Sequence, residues 1–315
     1  ATASQGLAFM WEELHIASGM RCPIVMANAN RALSAPINIH GDHSDIMGVR
    51  DTGWAMMFAE TAQEAYDNTI IAFKVAEDPN VLLPVLTTLD GFVTSHAMDN
   101  CVMEEDQVVK DFVGDYKPLY PLLDTENPVG HGMFATLGNG YMKYKLTERH
   151  ALDNALEAFE KHGKEWEEIT GRSFEVVDSW GAEDADYLIV VLGSCAGNAR
   201  HQARLLRAEG KKVGVVRPRI FRPFPAKQIV EACKNAKAVA VIDRSDSFGS
   251  PHAPLALEVR AAFQDAGLQI PVSDYLAGMG GADITLDQMG QVYAELEQRA
   301  QGTYDGSIKY LGIEE

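Results

Sequence analysis

The sequence predicts an α/β protein built on mainly parallel sheets, on three observations. Short apolar runs alternate with segments of helical spacing along almost the whole chain, the pattern of strands joined by crossover helices. Those runs are bounded by Gly, Pro, Asn and Asp, the residues that punctuate turns. At 315 residues the chain is long enough for two cores of ordinary size.

Taken in order, residues 7, 10, 14 and 17 put apolar side chains on one face of a helix that starts after Ser4-Gln5-Gly6. That turn reads either as an ordinary helix cap, the favoured reading, or as an anion cradle. After Gly19 and Pro23, the run Ile24-Val25-Met26-Ala27 reads as a buried strand, ending where polar Asn28 and Asn30 begin. Residues 59–76 have helical spacing with few breakers, and 81–89 form the next strand, which Pro84 weakens. Residues 107–147 break the rhythm with Pro118, Pro121, Pro128 and a Gly/Asn-rich phrase at 138–141, and are expected to run over the surface or a subunit neighbour. A helix resumes at 147–170, from Thr147 to the stop at Gly171.

A second unit is expected from 171 to 300. Its strands are read at 186–192, 212–216 and 238–243, and its helices after Gly193-Ser194, at 226–236, at 254–266 and at 285–300. Residues 217–225 read as a proline-spaced loop, 278–281 as a glycine turn, and 301–315 as a tail that packs on something else or frays. Gly193-Ser194 between strand and helix invites comparison with a phosphate loop, but it lacks both the GxGxxG spacing and a GK[ST] ending, so a structural turn is the favoured reading.

The formal net charge of −18 leaves no basic stripe to neutralise phosphates and excludes a nucleic-acid role. Cysteines at 22, 101, 195 and 233 form no CxxC pair, so no zinc or iron–sulfur signature is present, and buried thiols in a reducing cytoplasm are expected. No apolar run reaches eighteen residues and no signal-peptide pattern is seen. The sequence starts at Ala1 as if inside a domain, and a strand is expected to precede it.

Chemistry is expected around 24–54. Strands in parallel α/β sheets present ligands at their carboxyl ends, and there Arg31 stands among polar Asn30 and small Ser34-Ala35-Pro36. Its planar fork matches a carboxylate bidentately. Alternatively Arg31 pairs with Asp42 or Asp45 and only pins a loop. The loop at 90–96 should reach the same edge, with Ser95-His96. Arg50 is a further candidate for substrate contact, with an ordering role in its loop as the other reading; Asn30, Ser34, His43 and Ser95-His96 are candidate pocket lining.

The phrases TASQGL, PIVMANANRALSAPINIHGDHSDIMGVRDTGW, DGFVTSH, RIFRPFP, AVIDRSDSFGSP and GMGGADIT, in that order, resemble the α subunit of pyruvate:ferredoxin oxidoreductases along nearly the whole chain. The resemblance implies a thiamine-diphosphate pyrimidine-binding-type domain over 1–170, incomplete at its start, followed by a transketolase C-terminal-like three-layer α/β domain. It implies oxidative decarboxylation of pyruvate to acetyl-coenzyme A, with branched-chain or aryl 2-oxoacids as alternative substrates. Thiamine diphosphate would be shared with a β-type subunit. Magnesium and [4Fe-4S] clusters would sit on partner subunits, including γ- and δ-type ferredoxin-like ones, in a dimer of the hetero-oligomer that delivers electrons to ferredoxin. Arg31 falls on the family's substrate arginine; the glutamate that activates the cofactor is expected upstream of Ala1, so no catalytic residue is assigned. A non-catalytic scaffold that kept the same shell is the alternative of another class.

Overall fold

Two sheets carry the chain, and the faces of their strands set the layers. The computed structural model describes residues 1–132, 134, 135, 138, 140–302 and 307–313. In chain order the first part holds α1 (Gln5–Phe9), α2 (Trp11–Gly19), β1 (Val25–Asn30), α3 (Ser44–Met47), β2 (Ala55–Phe58), α4 (Ala62–Glu77), β3 (Val85–Asp90), α5 (Asp106–Val113) and α6 (Gly140–Thr170). The second holds β4 (Val177–Trp180), β5 (Tyr187–Val191), α7 (Cys195–Ala208), β6 (Val213–Pro218), β7 (Ile220–Arg222), α8 (Ala226–Cys233), β8 (Ala238–Asp243), α9 (Pro254–Asp265), β9 (Val272–Leu276), α10 (Leu286–Ala300) and β10 (Lys309–Tyr310).

The first sheet has the order β1-β3-β2-β7 and the second β10-β9-β8-β5-β6-β4. Pairing is parallel except at β2–β7 and β4–β6. Alternation along β2 sorts its side chains. Met56 and Phe58 join a core with Leu86, Leu7, Leu14 and Trp54, whereas Ala55 and Met57 join another under α4, α5 and α6. The first of these cores continues into Leu188, Val190 and Val241 of the second sheet, so both sheets share one apolar layer. A third core, including Ile189, Val215 and Ala240, lies under α7 and α10.

Several expectations are corrected. The first helix is two, divided at Met10. Strand β1 does not stop before the asparagines: it runs through Asn28 and Asn30, both fully buried, because Oδ1 of Asn30 accepts from Asn28 Nδ2 and from the Thr88 hydroxyl. Strand β2, of only four residues, is absent from the sequence reading; its apolar run AMMF sits directly before the 59–76 segment. The third strand starts after Pro84, since Leu82 at φ 41° is in a turn.

The excursion contains α5, whose Phe112 is buried against Trp166, and α6 starts at Gly140, seven residues before the expected 147. The phrase at 138–141 and the tail fall partly outside the described residues. The proline-spaced loop is the end of β6 followed by β7, and β7 pairs with β2 of the first sheet, so the second unit completes the sheet of the first. Strands β4 and β9 are further elements that the sequence reading lacks, and the tail contributes β10 along β9.

Cys195 and Cys233 are buried free thiols pushed up to about 12 by burial, whereas Cys22 is half-buried and Cys101 exposed, against the expectation of four buried ones. Among the described residues no helix is long and apolar enough to cross a membrane.

Candidate functional site

The carboxyl ends of β1 and β3 lie side by side, with Asn30 in register with Asp90, so the loops that follow them open at one edge, as the parallel pattern predicts. Backbone approach there is close. A Cβ on Gly91 would stand 2.1 Å from the Asn30 carbonyl oxygen, and one on Gly41 2.3 Å from that of Gly91. Both obstacles are backbone, so no rotamer change relieves them. Gly91→Ala is therefore expected to lower stability by about 1–3 kcal/mol, as overpacking does, read as a drop in thermal midpoint.

Asp45, on α3, ties the start of the chain to the end of β1. Its Oδ2 accepts the backbone N–H of Ser4 (2.9 Å) and of Arg31 (3.1 Å) and Nδ2 of Asn28 (3.1 Å), while Oδ1 accepts the Ile46 N–H (2.7 Å). Burial pushes this carboxyl upward, and the N–H donors offset part of that. Asp45 thus fixes the Arg31 backbone and leaves the guanidinium to other partners.

That guanidinium is half-buried and forms no ion pair among the described residues. Its Nη2 donates to Oε1 of Gln5 (3.2 Å), and its Nε is buried without a partner. The pairing with Asp42 or Asp45 is not made. Asp42 is occupied elsewhere, accepting the N–H of Ser44 (2.9 Å) and of Gly280 (3.0 Å). Gln5 in turn donates from Nε2 to the Ser34 hydroxyl (3.0 Å). Ser4, at φ 50°, makes no side-chain cap; its hydroxyl lies 2.6 Å from the Ala32 carbonyl oxygen. The 4–6 turn is therefore not the ordinary side-chain cap but a tie to the arginine loop.

Beyond the arginine, the edge is apolar and open. Ile37, Ile39, Phe92 and Val93 are exposed; the Phe92 ring stacks on His96 at 4.5 Å and lies 4.9 Å from His40. The Ser95 hydroxyl accepts the Phe92 N–H (2.9 Å) and meets His96 Nδ1 at 2.7 Å, so this pair shapes its own loop.

The remaining candidates fall elsewhere. Asn30 is sealed inside the sheet, so it shapes the strand end rather than lining a pocket. Arg50 leans on its own loop, with Nη1 3.3 Å from the Met47 carbonyl oxygen, Nε 3.7 Å from Asp51, and its carbonyl taken by Arg222. No hydrogen bond or ion pair joins it to Arg31 among the described residues. His43 is not pocket lining either: it is buried, its Nε2 2.6 Å from Asp90 Oδ1.

Asp90 is the group the sequence reading missed. Its carboxylate, 1% exposed, also meets Arg244 Nη1 at 3.0 Å and accepts the Ser194 N–H at 2.7 Å. Burial alone would raise it, but the Arg244 guanidinium and His43 hold it well below the carboxylate range. Because β3 brings Asp90 and the second sheet brings Ser194 and Arg244, this cluster locks the two sheets together directly behind the candidate site. The Gly193-Ser194 turn is accordingly structural, its helix start filled by Asp90. The only sequence signal was the acid-then-arginine order in Asp243-Arg244 and the polar run at 42–45.

Among the described residues no group of three or more His, Cys, Asp or Glu side chains is arranged to hold a metal ion.

Residues 1–165 match the family model described as pyruvate flavodoxin/ferredoxin oxidoreductase, thiamine diphosphate-binding, and 185–289 match pyruvate:ferredoxin oxidoreductase core domain II. The chain is 42% identical to the pyruvate synthase subunit PorA of Thermotoga maritima, over 100% of its own length and 79% of that protein. It is 37% identical to the ketoisovalerate oxidoreductase subunit VorA of Pyrococcus horikoshii, over 99% and 79%. In fold it is similar to a 2-oxoglutarate:ferredoxin oxidoreductase from Magnetococcus marinus (TM-score 0.65, 18% identity), covering 95% of this chain and about half, 52%, of that one. It is also similar to a split-gene transketolase (TM-score 0.53, 15% identity, 96% and 75% covered).

Proposed function

The chain belongs to the pyruvate flavodoxin/ferredoxin oxidoreductase family, and on that premise we propose that it is the α-type subunit of a cytoplasmic pyruvate synthase. The complex oxidatively decarboxylates pyruvate on thiamine diphosphate, forms acetyl-coenzyme A and passes electrons through iron–sulfur clusters to ferredoxin, reversibly. One observation carries the reading for this chain: a half-buried guanidinium without a carboxylate partner, at the carboxyl edge of a parallel sheet.

The residues present fit part of the cofactor. Exposed Ile37, Ile39, Phe92 and Val93, on the loops that follow β1 and β3, suit flat rings, whereas among the described residues the donor set does not suit a metal–diphosphate anchor. We therefore assign the diphosphate and its magnesium ion to a β-type partner, the [4Fe-4S] clusters to β-, γ- and δ-type partners, and this edge to the contact between subunits. Thiamine diphosphate, when bound, supplies the nucleophilic carbon that attacks the ketone of the oxoacid. The role of this chain is to hold the acid. The Arg31 fork engages the carboxylate, keeping the ketone at a fixed distance and angle from its attacker. Asp45 fixes the backbone from which the fork projects, and a partner subunit covering the open apolar edge would exclude water, so that the ion pair gains strength.

Branched-chain oxoacids are a second reading, supported by a VorA relative as similar as several PorA relatives. The assembled complex, purified with its partners, is expected to show a brown iron–sulfur absorbance that pyruvate plus coenzyme A bleaches. Bleaching only with 2-oxoisovalerate or phenylglyoxylate would transfer the assignment to those substrates, and absorbance unchanged by any of the three would favour a scaffold.

A further inference from the structure

We propose that Gln5 is a positioning residue for substrate binding, orienting Arg31 and Ser34 together through the two ends of one side-chain amide. The inference rests on the reading of Arg31 as the carboxylate anchor and adds a residue from outside the arginine loop.

Three contacts carry it. Gln5 Oε1 accepts from Arg31 Nη2 (3.2 Å), Gln5 Nε2 donates to Ser34 Oγ (3.0 Å), and the Ser4 hydroxyl lies 2.7 Å from Gln5 Oε1. The orientation of the amide follows from its neighbours. A guanidinium is donor-only, so the oxygen must face it, and the NH2 is left for a hydroxyl that can accept. Ser34 Oγ, accepting from Gln5, keeps its own proton for an acceptor in the pocket. A carboxylate at the position of Gln5 would have neutralised Arg31 in advance; an amide of the same shape steers the fork without cancelling its charge. The backbone beneath is held as firmly as the side chain: the Ser4 N–H and the Arg31 N–H share one oxygen of Asp45, so Gln5 and Arg31 project from a common anchor.

An unpaired Arg31 would otherwise be a long side chain with several rotamers, and ordering it on binding would cost affinity. Gln5 removes that cost beforehand. Its effect should then appear in substrate binding and leave the chemical step unchanged.

The test uses the assembled complex with Gln5→Glu, Gln5→Met, Arg31→Ala and the double variant Gln5→Glu/Arg31→Ala. Readouts are KM and kcat for pyruvate and the calorimetric Kd of oxamate, a non-reacting analogue. Gln5→Glu places a carboxylate on Arg31 and is expected to raise KM and Kd about tenfold or more, with kcat within about threefold, as loss of binding alone does. Gln5→Met keeps the shape without hydrogen bonds or charge and is expected to raise KM about three- to tenfold, the size of losing one or two hydrogen bonds. In the Arg31→Ala background Gln5→Glu should add little, because its effect runs through the arginine. Wild-type KM in both Gln5 variants, with Arg31→Ala impaired, overturns this inference and leaves the anchor standing. Wild-type kinetics in Arg31→Ala overturns the anchor, and this inference with it. A Gln5→Glu defect confined to kcat, or equally large without Arg31, overturns the positioning role; should Gln5→Glu fail to assemble, the Gln5→Met result decides.

Discussion

Replacing Arg31 with alanine is expected to raise KM for the oxoacid and to lower kcat/KM by about 2–4 kcal/mol-equivalents, roughly 30- to 900-fold, the range for losing a charged hydrogen-bond partner in a partly dry site. The size follows from what surrounds the guanidinium. Among the described residues it has a neutral amide as its one hydrogen-bond partner, so its charge is not already spent on a carboxylate of the fold. Arg31→Lys should recover only part of the loss, because a point charge on a flexible stem cannot reproduce two parallel N–H bonds. The substitution removes no ion pair of the fold, and its thermal midpoint should stay near that of the wild type. A large fall in that midpoint, or kinetics near normal, would count against the assignment.

The largest effect on stability is expected at Asp90. Asp90→Asn leaves Arg244, 3% exposed, without its counter-charge, and breaking a buried pair from one side costs about 3–5 kcal/mol. For a domain of this size the thermal midpoint of the complex should fall by about 6 °C or more. The pH dependence has a definite sign. Arg244 and His43 depress the folded carboxyl despite its burial, so below the ordinary aspartate value, about 3.9, the unfolded chain takes up a proton that the folded chain does not. The contribution of Asp90 is complete above that value and is lost as pH falls below it. Asp90→Asn should remove this part of the acid sensitivity as well as lowering stability near neutrality. An acid-unfolding profile unchanged in slope would refute the role given to the cluster.

Strand β8 was legible residue for residue because an apolar run buried on both faces, between a lysine and an aspartate–arginine pair, has no competing interpretation. The end of α6 was legible at Gly171, whose φ of 72° is the left-handed turn that stops a helix. Strand β1 runs three residues beyond its apolar run, since Asn28 and Asn30 are polar yet buried, satisfied in part by each other and by Thr88 on the neighbouring strand. A window along one strand does not contain that partner. Strand β7 is invisible to local pattern because three residues between prolines gain their ladder pairing from β2, more than 160 positions away in the chain.

The sequence by itself determined the α/β class, since local composition and periodicity carry it, and it pointed to the carboxyl edge of β1 and to Arg31 as the residue to test, the latter through the resemblance of its phrase to a known family. Only the tertiary structure decided which candidates stand together. It set Gln5 and Ser34 beside Arg31, withdrew Asn30 into the sheet, gave Arg50 to its own loop, and turned His43 and Asp90 into the joint with the second sheet. The physical reason is that hydrogen bonds and buried charges are satisfied by whatever the fold brings within about 3 Å, and that distance bears no relation to separation along the chain.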